Sequence, residues 1–147
     1  MITGASSGIG AACALHLDKL GFKVFAGVRR QADAEALRAK ASPRLTPIAL
    51  DVADTLSIST AASAVAGAVG DAGLDGLVNN AGIVVPGPVE FLPLPDLRRQ
   101  LEINVVGQVA VTQAFLPLIR AAHGRIVNMG SISGRLATPF SSAYGAS

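Results

Sequence analysis

The chain opens with a glycine-rich stretch, Thr3-Gly4-Ala5-Ser6-Ser7-Gly8-Ile9-Gly10, that leads into residues with helical spacing. Glycine adopts backbone angles that other residues avoid, and it lets a phosphate approach the main chain closely. The free N–H groups and the positive dipole at a helix start attract the phosphate charge. The stretch therefore predicts a phosphate-binding turn, with a plain turn as the alternative, since its spacing differs from the commoner G-x-G-x-x-G.

The rest of the chain alternates short apolar runs with longer segments of helical period, a pattern typical of a parallel α/β sheet. The predicted strands are residues 23–28, 45–50, 74–79 and 125–130. The predicted helices are a first one ending at Gly21, then residues 32–39, 54–69 and 95–122, and an opening helix in 141–147. In the first helix we expect Ile9, Ala12, Leu17 and Leu20 to face the core. We expect a single domain over residues 1–147, with most of a first strand missing before Thr3.

Bulk composition narrows the class of protein. Half of the 147 residues are hydrophobic and 15% are charged, which fits a sheet buried on both faces and argues against disorder. The formal charge of +2, the scattered Arg and Lys, and the 4% aromatic content argue against nucleic-acid binding. Polar residues interrupt the apolar stretch 101–119, so we do not expect this stretch to span a membrane. No His, Cys and Asp cluster has ligand spacing, so no metal site is predicted.

Cysteine usage and the opening residues bear on the compartment. Cys13 is the single cysteine and can form no internal disulfide, and no charged and apolar leader opens the chain. We therefore expect a cytoplasmic protein.

Basic residues follow the strand predicted at 23–28. Dinucleotide folds usually carry an acidic residue there for the ribose hydroxyls, or an Arg for a 2′-phosphate. This chain has Arg29 and Arg30 in that turn and no acidic residue at the strand end. The pattern favours NADP over NAD, with NAD as the alternative if both guanidinium groups are merely solvated.

Polar residues also follow the next two strands, at the edge where open α/β sheets bind ligands. Asp51 precedes Val52, and its carboxylate could accept a hydrogen bond from an adenine amine or could serve as a turn residue. Asn79-Asn80-Ala81-Gly82 follows the strand predicted at 74–79. Its two amides could form an ordinary turn or tie loops to the sheet.

A hydroxyl and a phenol converge near the end of the chain. Ser131 follows the last predicted strand, and Tyr144 lies in the helix that opens after it. Together with the turn at 3–10, Asp51, Asn79–Gly82 and Asn104, these residues resemble the short-chain dehydrogenase/reductase family. The resemblance runs through the whole chain in the family's order. It implies a Rossmann-type doubly wound parallel sheet, a nicotinamide cofactor and hydride transfer between a carbonyl and an alcohol.

The resemblance also implies roles for individual residues. Tyr144 would be the proton donor or acceptor, Ser131 would bind the substrate oxygen, and Asn104 would hold a water in the proton relay. The implied cofactor contacts are Gly4, Ser6, Ser7, Gly8, Ile9, Gly10, Arg29, Asp51, Val52, Asn80, Ala81 and Gly82. The substrate would be a small carbonyl or alcohol, and residues 25–30 with Gly134 and Arg135 resemble members that act on retinoids, steroids or other apolar alcohols. Full-length members would form homo-oligomers.

The chain departs from the family pattern at both ends. The family's Tyr-x-x-x-Lys motif places its lysine at position 148, and further strands follow it. The resemblance therefore implies an N-terminal fragment of a longer domain, lacking most of the first strand and the last strands. The alternative function is accordingly a non-catalytic nucleotide-binding fragment without the catalytic lysine.

Overall fold

A computed structural model describes residues 1–136 and 138–147. Its strands are β1 (Val24–Val28), β2 (Leu45–Ala49), β3 (Gly76–Asn79) and β4 (Arg125–Asn128). Its helices are α1 (Gly8–Lys19), α2 (Gln31–Arg38), α3 (Thr55–Val69), α4 (Leu94–Leu101), α5 (Gly107–Ala121) and the single turn α6 (Ser142–Gly145). Short 3₁₀ turns cover Gly70–Ala72, Val89–Phe91 and Ile132–Gly134. Each predicted strand is confirmed, with ends that shift by up to two residues.

All strand pairs are parallel, and a short segment at Ile2 joins two of them into one sheet. β1 pairs with β2, and β3 pairs with β4. Ile2 bridges to Ala26 on one side and to Val78 on the other. The order across the sheet is therefore β2, β1, Ile2, β3, β4, which confirms the Rossmann-type arrangement.

Helices cover both faces of the sheet, so the chain has two apolar cores. Alternate residues of β1 belong to different cores, because side chains along a strand point to opposite faces. Phe25 packs on the side of α3 and α5, and Val24 and Ala26 pack on the side of α1 and α2. This burial on both faces explains why β1 is apolar throughout.

The face that α1 turns to the core differs from the predicted one. Ile9 is 67% exposed, Leu20 is 62% exposed and Ala12 is exposed too. Of the four predicted residues Leu17 packs against the core, beside the buried Gly10, Ala14 and Asp18. Apolar residues are spread around this helix, so their spacing did not identify its inner face. Asp18 is buried because its carboxylate accepts hydrogen bonds from the Ser42 hydroxyl (2.5 Å) and the Ser42 backbone N–H (2.7 Å).

The helix predicted over residues 95–122 is present but contains a wider turn. α4 and α5 are joined by a π-helical turn at Glu102–Val106, which holds Asn104. Within the described residues, Leu94–Ala121 is the one helical stretch that has the length and composition to cross a membrane. Core helices of soluble proteins have the same properties, and Val111, Phe115 and Ile119 of α5 are buried against the sheet side that α3 covers.

Candidate functional site

The glycine-rich turn leaves the centre of the sheet and starts α1. Ser7 is the N-cap residue, and its side chain makes no capping hydrogen bond. Ala11 donates to the Ser7 carbonyl, and in residues 1–136 and 138–147 no acceptor is recorded for the N–H groups of Gly8, Ile9 and Gly10. These N–H groups therefore stand free at the positive end of a twelve-residue helix, as an anion site requires.

Two glycines allow the turn to pack closely against the loop after β3. Gly4 has a φ of +63°, and a Cβ there would lie 2.8 Å from the Cα of Ala81. A Cβ on Gly10 would lie 2.3 Å from the Gly4 carbonyl oxygen and 2.4 Å from the Asn80 amide nitrogen. Side chains at either position would push the turn away from the sheet edge.

Asn79 and Asn80 hold loops and strands together, which confirms the second interpretation of this pair. The Asn80 side chain donates to the carbonyl oxygens of Thr3 (3.0 Å) and Gly4 (3.1 Å). The buried Asn79 amide donates to Thr112 of α5 and to Asn128 of β4, both at 2.9 Å. The asparagine pair therefore fixes the glycine-rich turn on one side and α5 with β4 on the other.

A cleft of about 500 Å³ lies at the carboxyl ends of the strands. The structure brings together in its walls every residue predicted to bind the cofactor: Gly4, Ser6, Ser7, Gly8, Ile9, Gly10, Arg29, Asp51, Val52, Asn80, Ala81 and Gly82. Sequence reasoning did not single out Gly27, Val28, Leu50, Ile83 and Ile103, which also line it. These residues lie at strand ends, in the loop after β3 and in the π-helical turn. Only the three-dimensional arrangement shows that they line the cleft.

The two arginines after β1 have different surroundings. Arg30 donates two hydrogen bonds to the Asp33 carboxylate, both at 2.8 Å. The Arg30 hydrogen bond is the main reason that the pKa of Asp33 is lowered from its ordinary value. Arg29 is exposed in the wall of the cleft, and no ion pair or hydrogen bond of its side chain is recorded among the described residues. Arg29 is thus the guanidinium group that can reach a ligand.

Asp51 is a turn residue, and it also lines the cleft. One of its carboxylate oxygens accepts a hydrogen bond from the Ala53 N–H at 3.0 Å, as in a turn. Its own N–H donates to the Ser57 hydroxyl at 2.9 Å, which ties it to α3. Because Asp51 also lines the cleft, its second carboxylate oxygen is available to a ligand.

A second cavity, of about 250 Å³, adjoins the cleft and contains Asn104, Ser131 and Tyr144. It shares with the cleft the wall formed by Ile9, Asn80, Ala81, Gly82 and Ile83. The Ser131 hydroxyl accepts a hydrogen bond from the Ser133 N–H at 3.1 Å, so its proton remains available. Tyr144 is half-buried, and no protein partner of its hydroxyl is recorded in the described part of the chain. The three predicted catalytic residues therefore share one space.

Comparison with known proteins now defines the family. The model for short chain dehydrogenases matches residues 1–147. The chain belongs to the short-chain dehydrogenase family. Retinol dehydrogenase 16 of Mus musculus is 46% identical over 136 residues, which cover 92% of this chain and 43% of that protein. Estradiol 17-beta-dehydrogenase 2 of Mus musculus is 44% identical over 149 residues, which cover 99% of this chain and 39% of that protein.

The solved structures agree with the fold of this short-chain dehydrogenase. A short-chain dehydrogenase from Streptomyces avermitilis is 37% identical and superposes with a TM-score of 0.91 over 99% of this chain and 54% of that one. The chain spans less than half the length of the curated relatives described above.

Sequence reasoning missed one fully buried polar residue of this short-chain dehydrogenase. Gln100 of α4 has no exposed surface and contacts Val85 and Ser147 through hydrogen bonds. Helical spacing alone gives no reason to expect a buried glutamine there, because its partners lie 15 and 47 positions away.

Proposed function

We propose that this chain is the cofactor-binding part of an NADP(H)-dependent oxidoreductase that interconverts a carbonyl and an alcohol. One observation supports this most strongly: the cleft with the free helix N-terminus and the cavity with Tyr144 share a wall. A dinucleotide in the cleft would thereby present its reactive end to a substrate in the cavity.

The polar groups of the cleft fit a dinucleotide. The free N–H groups of Gly8, Ile9 and Gly10 suit a pyrophosphate, since anions bind at helix N-termini. The free carboxylate oxygen of Asp51 suits the adenine amine. Because Gly4 packs closely against Ala81, the turn lies against the sheet edge, and a phosphate can approach its backbone.

The charges near β1 support NADP(H) over NAD(H). The Arg29 guanidinium is exposed at the cleft, while Arg30 is held by Asp33. A guanidinium group binds a phosphate through two parallel N–H donors, so Arg29 would hold the 2′-phosphate.

The side chains of the second cavity support proton transfer to or from the substrate oxygen. The bound cofactor supplies or accepts the hydride. The Tyr144 hydroxyl would give its proton to the carbonyl oxygen during reduction and take it back during alcohol oxidation. The Ser131 hydroxyl, which accepts from Ser133, would donate its own proton in a hydrogen bond to the same oxygen. Asn104 would hold the water that links this proton to solvent.

Apolar side chains near the cavity support an apolar substrate. Val84 lines the cavity and is 56% exposed, and the exposed Val89 and Phe140 line a neighbouring cavity that shares Gly134 with it. Two relatives are named for retinol and estradiol, which are apolar alcohols. We propose a retinoid-like or steroid-like alcohol, or the matching carbonyl, as the substrate class.

The deciding experiment is Tyr144→Phe in the protein that carries this chain. NADPH-linked turnover of an apolar ketone should fall by at least about 100-fold, because general acid–base catalysis contributes that much. NADPH affinity should be unchanged, because Tyr144 lies outside the cleft. Retention of turnover in Tyr144→Phe would contradict the proposed role, and absence of any NADPH binding in the unmodified protein would contradict the proposed function.

A further inference from the structure

A polar cluster around the buried Gln100 connects the segment that carries Tyr144 to α4 and to the π-helical turn. Its members are Gln100, Asn104 and Ser147. The Gln100 side chain donates to the Ser147 hydroxyl oxygen at 3.2 Å, and the Asn104 side chain donates to the same oxygen at 2.9 Å. Ser147 therefore accepts from two residues that lie four apart on one helical face.

These two accepted bonds determine where the Ser147 proton goes. With both acceptor positions used, the hydroxyl donates to the Tyr144 carbonyl oxygen at 3.0 Å. Ser147 thus has no proton to give to a substrate. Its hydrogen bonds therefore favour a role in holding Tyr144 in place over a role in proton transfer.

The other ends of the cluster are attached to the loop after β3. Gln100 accepts a hydrogen bond from the Val85 N–H at 2.6 Å. Asn104 accepts from the Ile83 N–H and donates to the Ile83 carbonyl, both at 2.9 Å. The cluster therefore joins three segments that each line or flank the second cavity.

The tyrosine segment has contacts on two sides. On one side Ala143 is buried and the Gly87 N–H donates to the Phe140 carbonyl just before the turn. On the other side the support comes from Ser147.

We infer that Gln100 and Ser147 are positioning residues that hold Tyr144 at a fixed distance from Asn104. The inference rests on the proposed function, because it assigns them to the reaction that Tyr144 would carry out. Because Gln100 is fully buried, loss of the Ser147 hydroxyl leaves a buried amide donor unpaired.

The test uses Gln100→Met and Ser147→Ala in the protein that carries this chain, with Ser147→Thr as the conservative variant. We expect kcat to fall about 10- to 100-fold in the first two, because small misplacements of reacting groups cost that much. The KM for NADPH should be unchanged and the pH profile of kcat should be altered. Ser147→Thr keeps the hydroxyl and should restore both. Gln113→Met, at an exposed position of α5, is the matched control and should behave as the unmodified protein.

The double variant Gln100→Met/Ser147→Ala gives a further check. Both changes break the same cluster, so the double variant should be no slower than the slower single variant. Additive losses would overturn a shared role. Unchanged kcat and pH profile in folded Ser147→Ala would overturn the inference outright. If Gln100→Met does not fold, Ser147→Ala alone decides, because that change removes only one oxygen from an exposed residue.

A readout without turnover separates this inference from the proposed function. Tyr144 is the single tyrosine of residues 1–147, and Tyr144→Phe identifies its band in the near-ultraviolet circular dichroism of the whole protein. That band should weaken in Ser147→Ala and return in Ser147→Thr. A weakened band in a protein without oxidoreductase activity would refute the proposed function and leave the positioning intact, whereas an unchanged band would refute the positioning.

Discussion

Asn80 donates two hydrogen bonds to Thr3, one from its backbone and one from its side chain. The Thr3 hydroxyl accepts from the Asn80 backbone N–H at 2.9 Å, and the Asn80 side chain donates to the Thr3 carbonyl at 3.0 Å. The same hydroxyl accepts from the Ala81 N–H at 2.9 Å. This pair fixes the start of the glycine-rich turn to the end of β3, 77 positions away.

Thr3→Val should destabilise the domain, because valine keeps the volume of the buried threonine but accepts no hydrogen bond. Two backbone N–H groups would lose their partner, at a cost of about 1–3 kcal/mol each. Urea denaturation should report the loss. Thr46→Val on β2, where the threonine is exposed, is the control and should leave the free energy of unfolding nearly unchanged. Equal effects of both variants would contradict the role of the Thr3 hydroxyl.

Gly10→Ala should abolish NADPH binding or folding, because the new Cβ would overlap the Gly4 carbonyl oxygen at 2.3 Å. Gly67→Ala is the matched control, since nothing lies within 4 Å of a Cβ at that position of α3. It should stabilise the protein by up to about 1 kcal/mol, because alanine favours helix more than glycine does. Thermal unfolding and NADPH titration of both variants would check this, and a tolerated Gly10→Ala would show that the turn packs differently.

Arg29→Ala should weaken NADPH binding much more than NADH binding. Loss of a charge-assisted hydrogen bond costs about 1.5–3 kcal/mol, which corresponds to roughly tenfold or more in Kd. Arg30→Ala is the control, because that guanidinium is paired with Asp33. Calorimetric titration with each cofactor measures the difference. Equal losses for both cofactors would remove Arg29 from the 2′-phosphate site.

Asp18→Asn should change the pH dependence of stability. Hydrogen bonds from the Ser42 hydroxyl, and then from its backbone N–H, hold the pKa of Asp18 below its ordinary value. The stability that the Asp18 carboxylate contributes is therefore present at pH values above its ordinary pKa of 3.8, and it is lost as the pH falls through the folded-state pKa. Asp18→Asn should lower the denaturation midpoint at neutral pH and approach the unmodified protein in acid.

The control for that experiment is Asp71→Asn, at an exposed position after α3. Its denaturation midpoint should follow that of the unmodified protein at every pH. A constant difference between Asp18→Asn and the unmodified protein from neutral to acid pH would refute the linkage to the Asp18 carboxylate.

The strands and the cleft could be predicted from sequence because their signals are local. β1 is apolar throughout since both its faces are buried, and the polar residues of the cleft follow directly after strands. Asp51 and Asn80 are examples, because a position after a parallel strand places a side chain at the ligand-binding edge.

The inner face of α1 and the buried polar residues could not be predicted in the same way. Ile9 and Leu20 are exposed, although the sequence predicted them to face the core, because apolar residues are spread around α1. Asp18 and Gln100 are buried because of partners that lie 24 and 47 positions along the chain. Only the tertiary structure supplies those partners.

The π-helical turn at Glu102–Val106 has a consequence for changes of chain length. Each residue of an α-helix advances the helix by about 100°, so removing one residue from this turn would rotate α4 against α5 by about that angle. Asn104 and Gln100 would then no longer meet Ser147, although every side chain of the cluster would still be present. Single-residue deletions here should therefore be far more damaging than most substitutions, and natural length variation in related chains should fall in the flanking loops instead.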